Sequence, residues 1–186
     1  MTAPQTKTLS PPLVVALVLA GVLVLGIGIA GIVLGTGGGP AAAPPPTAAA
    51  TGPVPLVPVA APLAGSAQCA ALGKALPATL ANGNKPLHRR PIAAPAPQAA
   101  AVWGAGDTPV VLRCGIERPP ELTSTSELLD VSGVRWFQVT GNGATTWYAV
   151  DRAAVVALTL PDGLNTGPIQ DVSAAIKATM PAVPVF

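Results

Sequence analysis

From Leu13 to Leu34 the chain uses only Leu, Val, Ile, Ala and Gly. A helix rises about 1.5 Å per residue, so this run is roughly 33 Å long, against about 30 Å for the hydrocarbon core of a bilayer. The pattern predicts one transmembrane helix over residues 13–34. A cleaved signal peptide has an apolar core of only about 7–15 residues, which favours a retained anchor. Residues 35–65 form the next stretch, in which Thr36 to Gly65 holds eight prolines, many alanines and no charge. Proline fixes φ and removes a backbone donor, so this stretch reads as an extended linker.

Alternating and helical patterns begin after it. Ser66 to Leu76 predicts a helix, with Ser66 as N-cap and Pro77 as stop. Val110 to Arg113 is β-rich. Val134 to Val139 and Thr145 to Val150 predict a hairpin, because Gly141-Asn142-Gly143 between them suits a tight turn. Val155 to Leu160 predicts a further strand. Pro168 to Met180 predicts a helix that places Ile169, Val172, Ile176 and Met180 on one face. Adjacent strands with flanking helices give an α+β class: an antiparallel sheet covered on one face by two helices, over residues 66–186.

Charge adds orientation and excludes one class of function. No charged residue lies between Lys7 and Lys74. Lys7 and the terminal amine precede the apolar run, so the positive-inside tendency puts residues 1–12 in the cytoplasm and the C-terminal domain outside. From Ser66 onward nine Lys/Arg face eight Asp/Glu. That balance argues against nucleic acid, whose binding needs a basic excess. Two patterns lie inside the apolar run. Gly26, Gly28 and Gly31 match a dinucleotide fingerprint by accident, since no strand precedes them and the first acid is Asp107. Gly31 and Gly35 form a G-x-x-x-G, a candidate helix-packing face for a homodimer.

Cys69 and Cys114 are the only cysteines. Outside the cytoplasm a lone pair reads as a disulfide. With the single His88 they do not complete a zinc site without carboxylates, and no motif asks for a metal or a cofactor. Cys69 with Leu76-Pro77, Trp103-Gly104, Val111-Leu112-Arg113-Cys114-Gly115, Pro119, Val134-Arg135-Trp136-Phe137 and Val150-Asp151-Arg152 together resemble the actinobacterial domain of unknown function 3515 family. Its members are uncharacterised secreted or membrane-anchored proteins. The resemblance spans most of residues 66–184 and the anchor, and Leu112 to Gly115 is its most specific part. It implies the two-cysteine framework and an envelope location, and carries no activity.

Candidate chemistry is sparse. His88 lies in Asn82 to Gln98, a Pro/Ala-rich stretch that reads as a loop, and no nucleophile turn accompanies it. Glu117, Glu121, Glu127 and Asp130 sit in a polar stretch around Pro119-Pro120 and read as solvated surface. Lys85, His88, Arg89 and Arg90 form one basic cluster with no acid between Lys74 and Asp107, a candidate anion-binding loop. Arg113, Arg135 and Arg152 adjoin apolar runs and predict structural ion pairs, with Asp151 and Asp130 as partners. The leading expectation is a membrane-anchored envelope protein. It would be a non-enzymatic binding or accessory module that takes an envelope protein or an anionic polymer, with the bilayer held through residues 13–34. The alternative is an enzyme acting on envelope polymers. A third reading is a structural membrane partner working through Gly31 and Gly35.

Overall fold

The computed structural model describes residues 52–186. The span over 13–34, its Gly31/Gly35 face and the first part of the linker lie outside them. Among the described residues no helix is long and apolar enough to cross a membrane.

Eight antiparallel strands form one sheet in the order β1-β2-β3-β4-β8-β7-β6-β5. They are β1 (Thr79–Leu80), β2 (Leu87–Arg90), β3 (Ala100–Trp103), β4 (Val110–Ile116), β5 (Leu129–Val131), β6 (Val134–Gly141), β7 (Ala144–Ala149) and β8 (Val155–Pro161). Helices α1 (Ala67–Ala75) and α2 (Gly167–Thr179) complete the domain. The class is α+β, as the apolar pattern predicts. The Ser66 hydroxyl accepts from Cys69 N at 3.2 Å and caps α1, satisfying one of the free donors at a helix start. Pro168 sits in the first turn of α2, where its missing N–H costs nothing.

Side chains alternate across a strand, so each strand offers one face to each side. The helix side takes Trp103, Leu112, Cys114, Val134, Trp136, Val156 and Leu158, which pack with Leu72 of α1 and Val172 and Ile176 of α2. Trp136 is fully buried, donates its Nε1 hydrogen to Ser173 Oγ at 3.0 Å and meets Trp147 edge-on at 6.4 Å. Cys69 and Cys114 are joined in a disulfide, with Cα atoms 5.6 Å apart, which pins α1 to β4.

The opposite side of the sheet holds a smaller cluster of Ile116, Val155 and Ala157, against which Ala61 and Tyr148 pack. Here the linker boundary differs from expectation. Residues 54–64 belong to the domain. Val54 is buried and forms a parallel bridge with Ile92. Leu63 N donates to Gly115 O at 3.0 Å. Proline does prevent regular structure there, but an extended segment can still bury apolar side chains on a sheet, and this one covers a cluster that no helix covers. Gly115 makes the approach possible. It sits in the β4 irregularity between Cys114 and Ile116 with φ +82°, and a Cβ there would lie 2.2 Å from the Leu63 carbonyl carbon.

Candidate functional site

Three of the four residues of the basic cluster fall in regular structure, not in a loop. Pro86 and Pro91 bracket β2 without entering it, and the residues between them pair with β1 and β3. Alternation then separates the side chains. His88 and Arg90 point to one side of the sheet, Leu87 and Arg89 to the other.

Each of the four side chains has a different environment. Arg89 lies opposite Trp103 in the register, and its guanidinium carbon stands 5.4 Å from the centre of that indole ring. This cation–π contact fixes the side chain while leaving it exposed. Arg90 is held by backbone carbonyls. Nε and Nη2 donate to Gly52 O at 3.2 and 2.8 Å, and Nη1 donates to Gly106 O at 2.8 Å. Its donors are spent on tying residue 52 and the β3–β4 loop together. His88 Nδ1 shares a hydrogen bond with the Thr79 hydroxyl at 3.2 Å. Lys85 is exposed just before the strand. No acid among the described residues lies within salt-bridge distance of these four, since the single ion pair there is Asp151–Arg152.

That pair is the one structural ion pair of those the sequence suggests. Arg152 Nη1 stands 2.7 Å from Asp151 Oδ2, and both are buried. Arg152 Nη2 donates to Gly133 O at 2.9 Å, so the pair ties the β7–β8 loop to the β5–β6 turn. Arg113 and Arg135 depart from expectation. Arg135 sits across from Asp130 in the register, yet Asp130 Oδ1 accepts from Gly133 N at 3.0 Å and stabilises the turn instead. Arg135 is exposed, and water serves it as well as a carboxylate does. Arg113 is half-buried on the side of β4 away from the helices and makes no ion pair among the described residues. Burial lowers its pKa, though arginine keeps its charge throughout the range in which proteins fold. Tyr148 lies on the same side, two strands away across Ala157. Burial, then the negative charge of Glu121, push its hydroxyl above the usual tyrosine range.

Sequence reasoning missed Trp103 as the platform for Arg89 and Thr79 as the partner of His88. The signal for both was the register of β1, β2 and β3, which no local pattern encodes. It also missed Arg118, which donates to the carbonyl oxygens of Val185 and Val150 and holds the C-terminal end.

The family model described as "Protein of unknown function (DUF3515)" matches residues 17–185. No curated protein and no solved structure matches. The matched region takes in the whole sheet, both helices, both cysteines and the basic strand, and the chain therefore belongs to this family of proteins of unknown function.

Proposed function

We propose that the chain is a non-enzymatic binding module of an actinobacterial cell envelope. It is anchored through residues 13–34 with its C-terminal domain outside the cytoplasm, and it takes an anionic envelope polymer or lipid headgroup on Lys85, His88 and Arg89. The observation that carries this reading is the set of exposed basic side chains at and just before β2 without an acid in salt-bridge range among the described residues. Arg89 is already fixed on Trp103. Binding an anion there costs less side-chain entropy than binding on a free arginine. Arg90 is not part of the binding set, because its donors serve carbonyl groups.

The anchor is tested by sequencing the N-terminus of protein extracted from membranes. Retention of residues 13–34 is expected, and a start beyond Pro40 would remove the anchor from the reading. Binding is tested with the domain from Ala48 onward, against vesicles containing an anionic lipid and against an acidic polysaccharide. Replacing Lys85 and Arg89 with Ser should weaken binding about tenfold or more, each factor of ten being about 1.4 kcal/mol. Binding should fall with salt, as the Debye length shrinks from about 10 Å at 0.1 M to about 3 Å at 1 M. Arg90→Ser should lower stability rather than select against anions. Absence of salt-sensitive binding to both materials would discard the proposal.

A further inference from the structure

The chain enters the domain beside the basic strand. Arg90 Nε and Nη2 hold Gly52 O at 3.2 and 2.8 Å. Two residues on, Val54 N donates to Pro91 O at 3.0 Å, Ala93 N donates to Val54 O at 2.9 Å, and Val54 bridges to Ile92. These bonds fasten residues 52–54 to Arg90 and the three residues after it. Arg89 precedes Arg90 in β2, and Lys85 stands just before the strand. Both are exposed. β1 is two residues long and pairs with Leu87 and His88, so Arg89 and the fastening lie close to a corner of the sheet, where side chains of either face reach the rim.

Apolar groups stand next to the same fastening. Val57 and Val59 are 76% and 53% exposed. They follow Val54 by three and five residues, so at about 3.6 Å per extended residue both lie within about 18 Å of it. Arg89 precedes Ile92 by three residues, which sets it within about 11 Å of the other side of the bridge. A surface that mixes basic and apolar side chains suits one kind of partner. A soluble anionic polymer meets the charges and leaves the valines in water. A bilayer surface takes both, because anionic headgroups attract the basic side chains and the boundary with the acyl chains accepts the apolar ones. Asp107 borders the cleft that Gly52 and Arg90 line. An acid therefore stands near Arg90, whose charge is not counted with those of Lys85 and Arg89.

We propose that Lys85, Arg89, Val57 and Val59 form a membrane-surface contact, and that its partner is the anionic lipid of the bilayer in which the chain is anchored. This rests on the anchored, anion-binding module proposed for the chain and narrows its partner to lipid. Chain length favours that same bilayer. Residues 35–51 are all that separate the expected span from Gly52, and at about 3.1 Å per extended residue they reach at most about 53 Å. A tether so short gives a roughly millimolar effective concentration, at which a few weak contacts suffice. Arg90 is then a positioning residue. It sets the entry of the tether beside the side chains that meet the lipid.

The test uses the full chain, reconstituted in vesicles of phosphatidylcholine alone or of equal parts phosphatidylcholine and phosphatidylglycerol. A fluorophore on Val57→Cys reports contact through quenching by nitroxide-labelled lipid. Cys69 and Cys114 are bonded to each other, so only the added thiol takes the label. Thr125→Cys is the reference, an exposed residue four positions before β5, the strand at the opposite edge of the sheet from β1. With phosphatidylglycerol, quenching at Val57→Cys should exceed that at Thr125→Cys at least about twofold, and the excess should vanish at 1 M salt, where the Debye length is about 3 Å. It should vanish too in phosphatidylcholine alone and when Lys85 and Arg89 are both replaced with Ser. The salt and lipid arms leave the basic strand unchanged, so they decide the matter even if that double variant does not fold. Equal quenching at the two labels, or an excess that is the same in neutral vesicles, would overturn the proposal. Binding of a soluble acidic polysaccharide without any excess in anionic vesicles would leave the anion site standing and refute lipid as its partner. No response to either material would refute both, and a native N-terminus beyond Pro40 would remove the anchor and this contact with it.

Discussion

Lys85, Arg89 and Arg90 look interchangeable in the sequence and serve three purposes in the structure. Lys85 is free in solvent, Arg89 is set on an indole, and Arg90 is a strut between carbonyls. Their presence and lack of nearby acids could be read directly. Their roles could not, because those of the two arginines depend on residues at least 14 positions away, Trp103 and the glycine carbonyls. The buried Asp151–Arg152 pair was legible because the two are adjacent and flanked by apolar runs. Tyr148 carries a pH prediction. Its hydroxyl is raised above the usual value of about 10 by burial and by Glu121. The folded state then holds this proton more tightly than the unfolded one. Stability from this source is fully present below about pH 10 and is lost as pH rises through the folded value. Denaturant melts from pH 8 to 11 should show Tyr148→Phe losing less stability at alkaline pH than the parent, and equal slopes would refute the assignment.

At the level of elements, length decided what could be seen. The β6–β7 hairpin and α2 carry turn or periodic signals, α1 has a cap and a stop at its ends, β8 is an apolar run closed by a turn, and all were legible. β1, β3 and β5 have four residues or fewer. Ala100-Ala101-Val102-Trp103 has no alternation to betray a strand. These pieces are held by neighbours, not by local preference. The disulfide could be anticipated from a lone pair of cysteines in a domain expected outside the cytoplasm, and it joins α1 to β4 across 45 residues of separation. In the chain-entropy model a loop of that size is worth about 4 kcal/mol. Replacing both cysteines with Ser should lower the stability of the domain by about that amount in urea unfolding, and an unchanged midpoint would show that the bridge contributes nothing.

For the whole molecule, the consequential surprise is where the domain begins. Composition marks residues 35–65 as one tract, because prolines and alanines run evenly through it. Nothing local says that Val54 bridges to Ile92, or that Ala61 and Leu63 meet a sheet contributed from positions beyond 110. A chain that begins at Ser66 should therefore be less stable than one that begins at Ala48. It uncovers Ile116, Val155 and Ala157, and each fully buried aliphatic side chain is worth about 1.5–3 kcal/mol. A loss of at least about 2 kcal/mol is expected, and Gly115→Ala should reproduce part of it without shortening the chain, since its Cβ would meet Leu63 and Ala64 backbone. Equal melting curves for the two lengths would rule out a contribution from this segment. The strap at Gly115 also orders events in time. Residues 54–64 leave the ribosome before any strand of the sheet, yet the surface they cover includes Val155 and Ala157 of β8, among the last strand residues made. The earliest part of the domain to be synthesised is thus among the last to find its place, and until then a nascent chain shows the uncovered face to its surroundings.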